Sequence, residues 1–415
     1  MEIRLGYGTG FQTADVPEKN ILKILEPNGI FSRSNPASLL REALVNPIGT
    51  PPLKDIIKPG EKIAVITSDI TRPMPTWDVI PHLLDQLYDA GAEAEDITLV
   101  FALGSHRPHT EEEKRRLAGD RAFNEIACVD SDPHDCIHMG TTSAGTPVDI
   151  TRVVAEADRR ICLGNIEYHY FAGYSGGIKA LMPGASTPQA IQANHSMMVN
   201  ENAYAGRLEG NPLRDDLEEA GAICPVDFIV NVVLDEHKQI VHAVAGHVRE
   251  AHRSGCTFLD SLYRVAIPER ADIVIVSQGG APKDLNLYQT QKALDNSKHA
   301  VKDGGTIILV GACREGLGQK VFEEWISSAD KPTDLIARVR RDFKLGGHKA
   351  AAIAMVMEHA KIRLVSEMDE KFVRSIFLEP YSSLQSAVDD ALTEQGNDAS
   401  IIVMPYGGST LPIKK

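Results

Sequence analysis

The stretch KIAVITSDITRPMP, residues 62–75, decides the fold. Residues 62–67 form a short apolar run, the pattern of a buried strand. Ser68 and Asp69 end it, and a loop carrying Arg72, Pro73 and Pro75 follows. The pattern then repeats outward. A helical run covers about 77–90, and residues 96–102 (DITLVFA) read as a second strand opening into LGSHRPHT. Thr110 with Glu113 three residues later is a capping box, so a helix starts there. Residues 160–163 begin a third strand. Strands alternating with helices predict a parallel-rich α/β sheet, whose ligands gather beyond the carboxyl ends of the strands. Residues 228–234 and 240–245 read as a hairpin around Asp235, Glu236, His237 and Lys238. A fresh α/β pattern begins near Pro268, with strands expected at 272–277, 305–311, 361–366 and 400–404. Two α/β domains follow, 1–266 and 267–415, with no internal repeat or long linker.

The 415 residues carry a net charge of −14, against the basic stripe that a nucleic-acid surface needs. No run approaches the roughly 20 apolar residues of a membrane helix, and the start MEIRLGYGTG lacks a secretory pattern. The six cysteines, at 128, 136, 162, 224, 256 and 313, form no C-x-x-C pair, so neither a zinc ribbon nor a dithiol site is indicated. The expectation is a cytoplasmic protein without nucleic-acid or membrane partners.

Side chains with chemistry cluster at the strand ends. Asp69 and Arg72 lie three apart, placed to orient each other and a ligand, although a loop ion pair is the plainer reading. His106 follows the second strand at the same kind of position, and histidine exchanges protons near neutral pH. GNIEYHYFAGYSGGIKALMPG, residues 164–184, holds His169, Gly173, Ser175, Gly176, Gly177 and Lys179. This is not a Walker A loop, since Ile178 precedes the lysine and Ala180 follows it. A Gly-rich turn before a helix still offers backbone N–H groups to a phosphate. A lysine there binds an anion or anchors a cofactor covalently; the competing reading is a glycine-lined packing turn. His195, on an expected helix, has an imidazole suited to nickel, copper, iron or zinc. Gln289 and Lys292 share a helix face and suit a substrate carboxylate, or merely face solvent. His237, His242, His247 and His252 recur every five residues and do not converge on a helix or a strand. His134 and His138 mimic the H-E-x-x-H spacing without its glutamate.

Together these segments resemble the nickel-dependent lactate racemase family. The resemblance rests on SDITRP, ALGSHRPHTEEE, GTPVDITRVVAEAD, GNIEYHYFAGYSGGIKALMPG, NHSMM, LEGNPLRDD and GGAPKDLNLYQTQKAL, which run in order through about residues 60–295. It implies a racemase or epimerase of α-hydroxyacids, with the active site in the cleft between two α/β domains. It implies a nickel-pincer nucleotide: a nicotinic-acid-derived mononucleotide with two thio groups and a carbon–nickel bond. Lys179 would carry it covalently, His195 would ligate nickel, and Asp69, Arg72, Gly173, Ser175, Gly176 and Gly177 would help hold it. His106 and His169 would be the acid/base pair, with Asp69 and Arg72 assisting. Arg72, Tyr288, Gln289 and Lys292 would bind substrate. Cofactor-maturation enzymes are the implied protein partners, and a homodimer is one open arrangement.

The resemblance also implies an aromatic residue of the second domain near the substrate. FKLGGHKAAA, residues 343–352, holds no tryptophan, so a larger pocket or a polar contact through His348 or Lys349 is expected. The substrate is then lactate, malate, a larger hydroxyacid or an aldonate of the gluconate type. A net nicotinamide-dependent oxidoreductase is disfavoured because no G-x-G-x-x-G follows a strand with an acidic residue about 20 further on. A non-catalytic nickel- or nucleotide-binding protein would need no histidine pair.

Overall fold

The computed structural model describes residues 1–29, 35–235 and 237–414. The chain forms two compact units, Ile30–Asp260 and a second that combines Met1–Gly29 with Ser261–Lys415. Both are α/β. The N-terminal residues therefore depart from the division expected at 266/267.

In the first unit a six-stranded sheet runs Ile240–Gly246, Phe228–Leu234, Arg159–Ile166, Ile63–Ser68, Ile97–Ala102, Ala127–Asp130. All neighbours are parallel except the terminal hairpin, Phe228–Leu234 with Ile240–Gly246. Asp235 shapes that hairpin by accepting the amides of His237 and Gln239; Glu236 lies outside the described residues. Ile63–Ser68 is buried along nearly its whole length, as a parallel strand covered on both faces must be. Helix Thr76–Asp89 buries Val79, Ile80, Leu83, Leu84 and Leu87, a three-and-four spacing that gives one apolar stripe. They join Ile63, Val65, Ile97 and Leu99 in one core.

This topology locates the site. From Ile63–Ser68 the chain steps outward through Ile97–Ala102 to Ala127–Asp130. It then returns to the opposite side of Ile63–Ser68 as Arg159–Ile166. Strand order thus reverses between Ile63–Ser68 and Arg159–Ile166, where doubly wound sheets bind ligands. Residues 69–75 and 167–179 leave the sheet at that point.

The second unit's sheet is wholly parallel, in the order Glu379–Tyr381, Ala360–Val365, Val301–Val310, Ala271–Ser277, Ile401–Met404, Ile21–Ile24. Its last strand comes from the N-terminal segment. The hairpin Glu2–Tyr7 with Gly10–Asp15 also belongs here, placing Ile3, Leu5, Ala14 and Val16 in the core with Ile273, Ile275, Ile308 and Val403. Among the described residues no helix is long and apolar enough to cross a membrane.

Candidate active site

Two clusters form at the strand ends of the first unit. In one, the buried Asp69 places Oδ2 2.8 Å from His106 Nδ1, and its Oδ1 accepts the Thr71 hydroxyl at 2.9 Å. A carboxylate only accepts, so His106 Nδ1 carries the hydrogen and Nε2 presents a lone pair. Burial raises the Asp69 carboxyl, but the His106 bond and charge, Thr71 and Arg72 outweigh it and hold it below the usual range.

In the other cluster Phe171 is the hub. Its ring meets His169 edge-on at 4.5 Å between centroids and His195 at 4.9 Å, while Lys179 Nζ lies 5.8 Å from its centroid. His169 and Lys179 keep some accessible surface, yet protein surrounds their titrating nitrogens. Burial, followed by the charges of Arg214 and Arg72, drives the Lys179 ammonium well below its ordinary value, with Glu167 opposing. Burial likewise lowers His169, followed by the charges of Lys179, Arg72, His195 and Arg214. Lys179 is therefore disposed to be a neutral amine, the nucleophilic form. His169 Nδ1 accepts the Ala172 amide at 3.3 Å, which assigns the hydrogen of the neutral ring to Nε2. His106 and His169 thus present opposite faces of the same chemistry, a lone pair and an N–H.

Arg72 links the clusters. Its charge acts on Asp69, His169 and Lys179. Its exposed guanidinium forms no ion pair among the described residues, which leaves it available to an anion.

His195 sits on helix Pro188–Ser196, capped by Thr187. Asn194 orients the ring: its Nδ2 donates to Leu213 O and Asp216 Oδ2, so its Oδ1 faces His195 Nδ1 at 3.0 Å. Nδ1 then carries the hydrogen and the lone pair falls on Nε2, the arrangement that prepares histidine to ligate a metal. No three His, Cys, Asp or Glu side chains gather around one metal position among the described residues. His195 fits as one donor to a metal whose other ligands belong to a bound group.

In the glycine turn three backbone amides have protein acceptors. Only a four-residue 3₁₀ turn, Gly177–Ala180, follows it. The amides of Ser175, Gly177 and Lys179 go to Glu167 O, Asn231 Oδ1 and Gly176 O. The Ser175 hydroxyl donates to Asn165 O. Gly173, Gly176 and Gly177 have φ of 77°, 72° and 60°, where side chains are strained. A Cβ on Gly173 would lie 2.1 Å from Arg207 O. The glycines at 173, 176 and 177 thus give the turn before Lys179 a backbone that side chains rarely adopt.

Arg214 was not singled out in the sequence. It is wholly buried and donates to the carbonyls of Ala172 and Tyr174. His252 is also structural, its Nε2–H reaching Ser175 O at 2.8 Å. His138 lies on strand Cys136–Thr141 and pairs with Asp149, so the helical metal motif is absent.

In the second unit, Tyr288, Gln289 and Lys292 lie on helix Leu287–Ser297, with Gln289 and Lys292 exposed. His348 and Lys349 are each 5% exposed. Lys349 Nζ donates to Tyr288 O at 2.6 Å and lies 4.0 Å from its ring centroid, and His348 Nδ1 accepts the Gly346 amide. Packing of helix Gly347–Met357 turns both inward, where they brace Tyr288 and the Gly346 turn.

Both units are α/β, and in the first the side chains of His106, His169 and Lys179 lie in segments at strand ends, where the sheet reverses its order. Residues 7–206 match the lactate racemase N-terminal domain and residues 267–411 the lactate racemase C-terminal domain. The lactate racemase of Thermoanaerobacterium thermosaccharolyticum is 34% identical over 100% of this chain and 99% of its own length. That of Lactiplantibacillus plantarum is 31% identical over 98% of both. The apoprotein structure of the former superposes with a TM-score of 0.90 at 33% identity, covering 100% of both chains. A Thermotoga maritima protein shares the fold with a TM-score of 0.65 at 18% identity, covering 93% of this chain and 100% of its own. This chain belongs to the lactate racemase family, and with it to the isomerases of racemase type.

Proposed function

We propose that this chain racemises or epimerises an α-hydroxyacid by hydride transfer, using a nickel-pincer nucleotide attached to Lys179. The observation that carries the reading is the Lys179 amine, desolvated beside two cations and gathered with His169 and His195 around Phe171. A neutral lysine accepts an acyl-type linkage, and His195 Nε2 offers the one protein donor that nickel would need. When bound, the group supplies a reversible acceptor for the hydride of the substrate α-carbon, the step side chains cannot perform.

The chain's own residues do the rest. Arg72 attracts the substrate carboxylate, and we assign Tyr288, Gln289 and Lys292 to the same task. His106 Nε2 takes the hydroxyl proton of one enantiomer while Asp69 steadies the imidazolium that forms. His169 serves the other enantiomer, giving up the Ala172 amide so that its unprotonated Nδ1 takes that hydroxyl proton, and each histidine returns as acid the proton that the reverse direction removes as base.

The test is intact mass and metal content of protein made together with the cofactor-maturation enzymes. Wild type should carry one covalent adduct and nickel, and Lys179→Ala neither. His106→Ala and His169→Ala should keep the adduct and lose turnover from both enantiomers by at least about 10²-fold. An adduct on Lys179→Ala would overturn the attachment, and normal turnover in either histidine variant would overturn the two-base scheme.

A further inference from the structure

His109 lies three residues beyond His106. Its side chain is 1% exposed, with Phe101 edge-on at 5.5 Å. Asp130, at the end of strand Ala127–Asp130, holds it twice: Oδ2 accepts the His109 amide at 2.9 Å, and Oδ1 lies 2.6 Å from the ring Nδ1. The opposite ring nitrogen, Nε2, accepts the amide hydrogen of Ile70 at 3.1 Å.

An imidazole nitrogen that accepts an N–H cannot carry a hydrogen of its own. His109 is therefore a neutral ring with its hydrogen on Nδ1, and Asp130 is the acceptor that selects this tautomer. The Ile70 amide belongs to the same peptide unit as the Asp69 carbonyl. Fixing that plane fixes the backbone from which the Asp69 side chain leaves, and the Asp69 carboxylate holds His106 Nδ1 at 2.8 Å.

We propose that His109 is a positioning residue: locked by Asp130, it clamps the Ile70 amide and so sets the Asp69 turn that orients His106. The chain Asp130, His109, Ile70 amide, Asp69, His106 spans the ends of three adjacent strands, Ala127–Asp130, Ile97–Ala102 and Ile63–Ser68. Each strand alone leaves its loop freedom to tilt. The hydrogen bonds across the strand ends remove that freedom. A merely structural core histidine would support the fold without reaching His106. Here the bond ends on the residue next to the one that holds His106. The consequence for turnover rests on the acid–base role proposed for His106, and the consequence for ring geometry does not.

The first measurement uses apoprotein with ¹⁵N-labelled histidine. Imidazole nitrogen shifts should show His109 protonated on Nδ1 with an acceptor-type Nε2, and His106 fixed as its Nδ1–H tautomer. A wild-type His109 protonated on Nε2 would overturn the proposal without any variant. The second compares His109→Leu, which fills volume but offers no acceptor, with His109→Gln, whose amide oxygen can reach the Ile70 N–H. His109→Leu should release His106 into exchange between both tautomers. In cofactor-loaded enzyme it should lower kcat by about 10–100-fold, as expected for a small misplacement of a reacting group, with KM little changed. His109→Gln should restore most of both. A folded His109→Leu protein with wild-type His106 signals would overturn the positioning role. Altered His106 signals with undiminished turnover would leave that role standing and overturn the acid–base reading of His106.

Discussion

Arg214 has no accessible surface, and no carboxylate forms an ion pair with it among the described residues. Burial lowers even its guanidinium to about 10, so at neutral pH it remains a fixed charge under the glycine turn. That charge is the largest named electrostatic influence on Lys179. Arg214→Met should raise the pH midpoint for acylation of Lys179 in the apoprotein, read by mass spectrometry with an amine-selective reagent. Arg214→Lys should keep the midpoint low, and equal midpoints in all three proteins would remove Arg214 from the account. At Asp69 the charged form is the favoured one. Its carboxyl is held below the usual range, so its stabilising contribution is complete above the ordinary carboxylate value and disappears as pH falls through the lowered one. Asp69→Asn should lower kcat by at least about 10²-fold and abolish that acid-limb contribution, checked by pH-dependent urea denaturation and by turnover from both enantiomers. His106, His169, Lys179 and His195 were legible because reactive residue types crowd into short strand-end segments. Arg214 and the His109–Asp130 pair were not. Their partners are carbonyls and strand ends brought together by sheet order, which linear spacing does not encode.

At the scale of elements, apolar runs located the strands to within a few residues. Those runs are the buried faces of parallel strands: Ile63–Ser68 stands where 62–67 was expected, and Ile97–Ala102 where 96–102 was. The capping box also appears as expected, with Thr110 Oγ accepting the Glu113 amide and the Glu113 carboxylate accepting the Thr110 amide. The glycine turn was harder to read. Composition alone cannot distinguish amides offered to a phosphate from amides spent on protein acceptors. Here the amides of Ser175, Gly177 and Lys179 are spent on protein acceptors, and the packing of the turn is measurable. Gly173→Ala places a methyl against Arg207 O in a left-handed conformation. The backbone strain alone costs about 1–3 kcal/mol. Urea unfolding should show at least that loss, and lysine acylation should show a displaced Lys179. A neutral substitution would mean that the turn has slack this packing does not provide.

At the scale of the whole molecule, chain order and fold part company at the N-terminus. Sequence gave no sign that residues 1–29 join the second unit, because long-range strand pairing leaves no local periodicity. The joining is extensive. Ile21–Ile24 pairs with Ile401–Met404. Ser277 Oγ donates to Gly6 O, the Gly8 amide donates to the buried Asp284, and the Ala281 amide donates to Gly8 O. Ile3, Leu5 and Val16 are at most 3% exposed, and burial of each is worth about 1.5–3 kcal/mol. That is a large share of the roughly 5–15 kcal/mol that holds a domain together. Deleting residues 1–29 should therefore destabilise the second unit while sparing Ile30–Asp260, which contains none of these partners. Hydrogen exchange by mass spectrometry can resolve the two. Peptides from Ala271–Ser277, Val301–Val310 and Ile401–Met404 should lose protection, whereas those from Ile63–Ser68 and Arg159–Ile166 should keep it. Acylation of Lys179 in the same protein should retain its low pH midpoint, since every charge acting on it lies in the first unit. Undiminished protection of Ala271–Ser277 would mean that the N-terminal hairpin adds little to the core it covers. Simultaneous loss in Ile63–Ser68 would mean that the two units unfold as one.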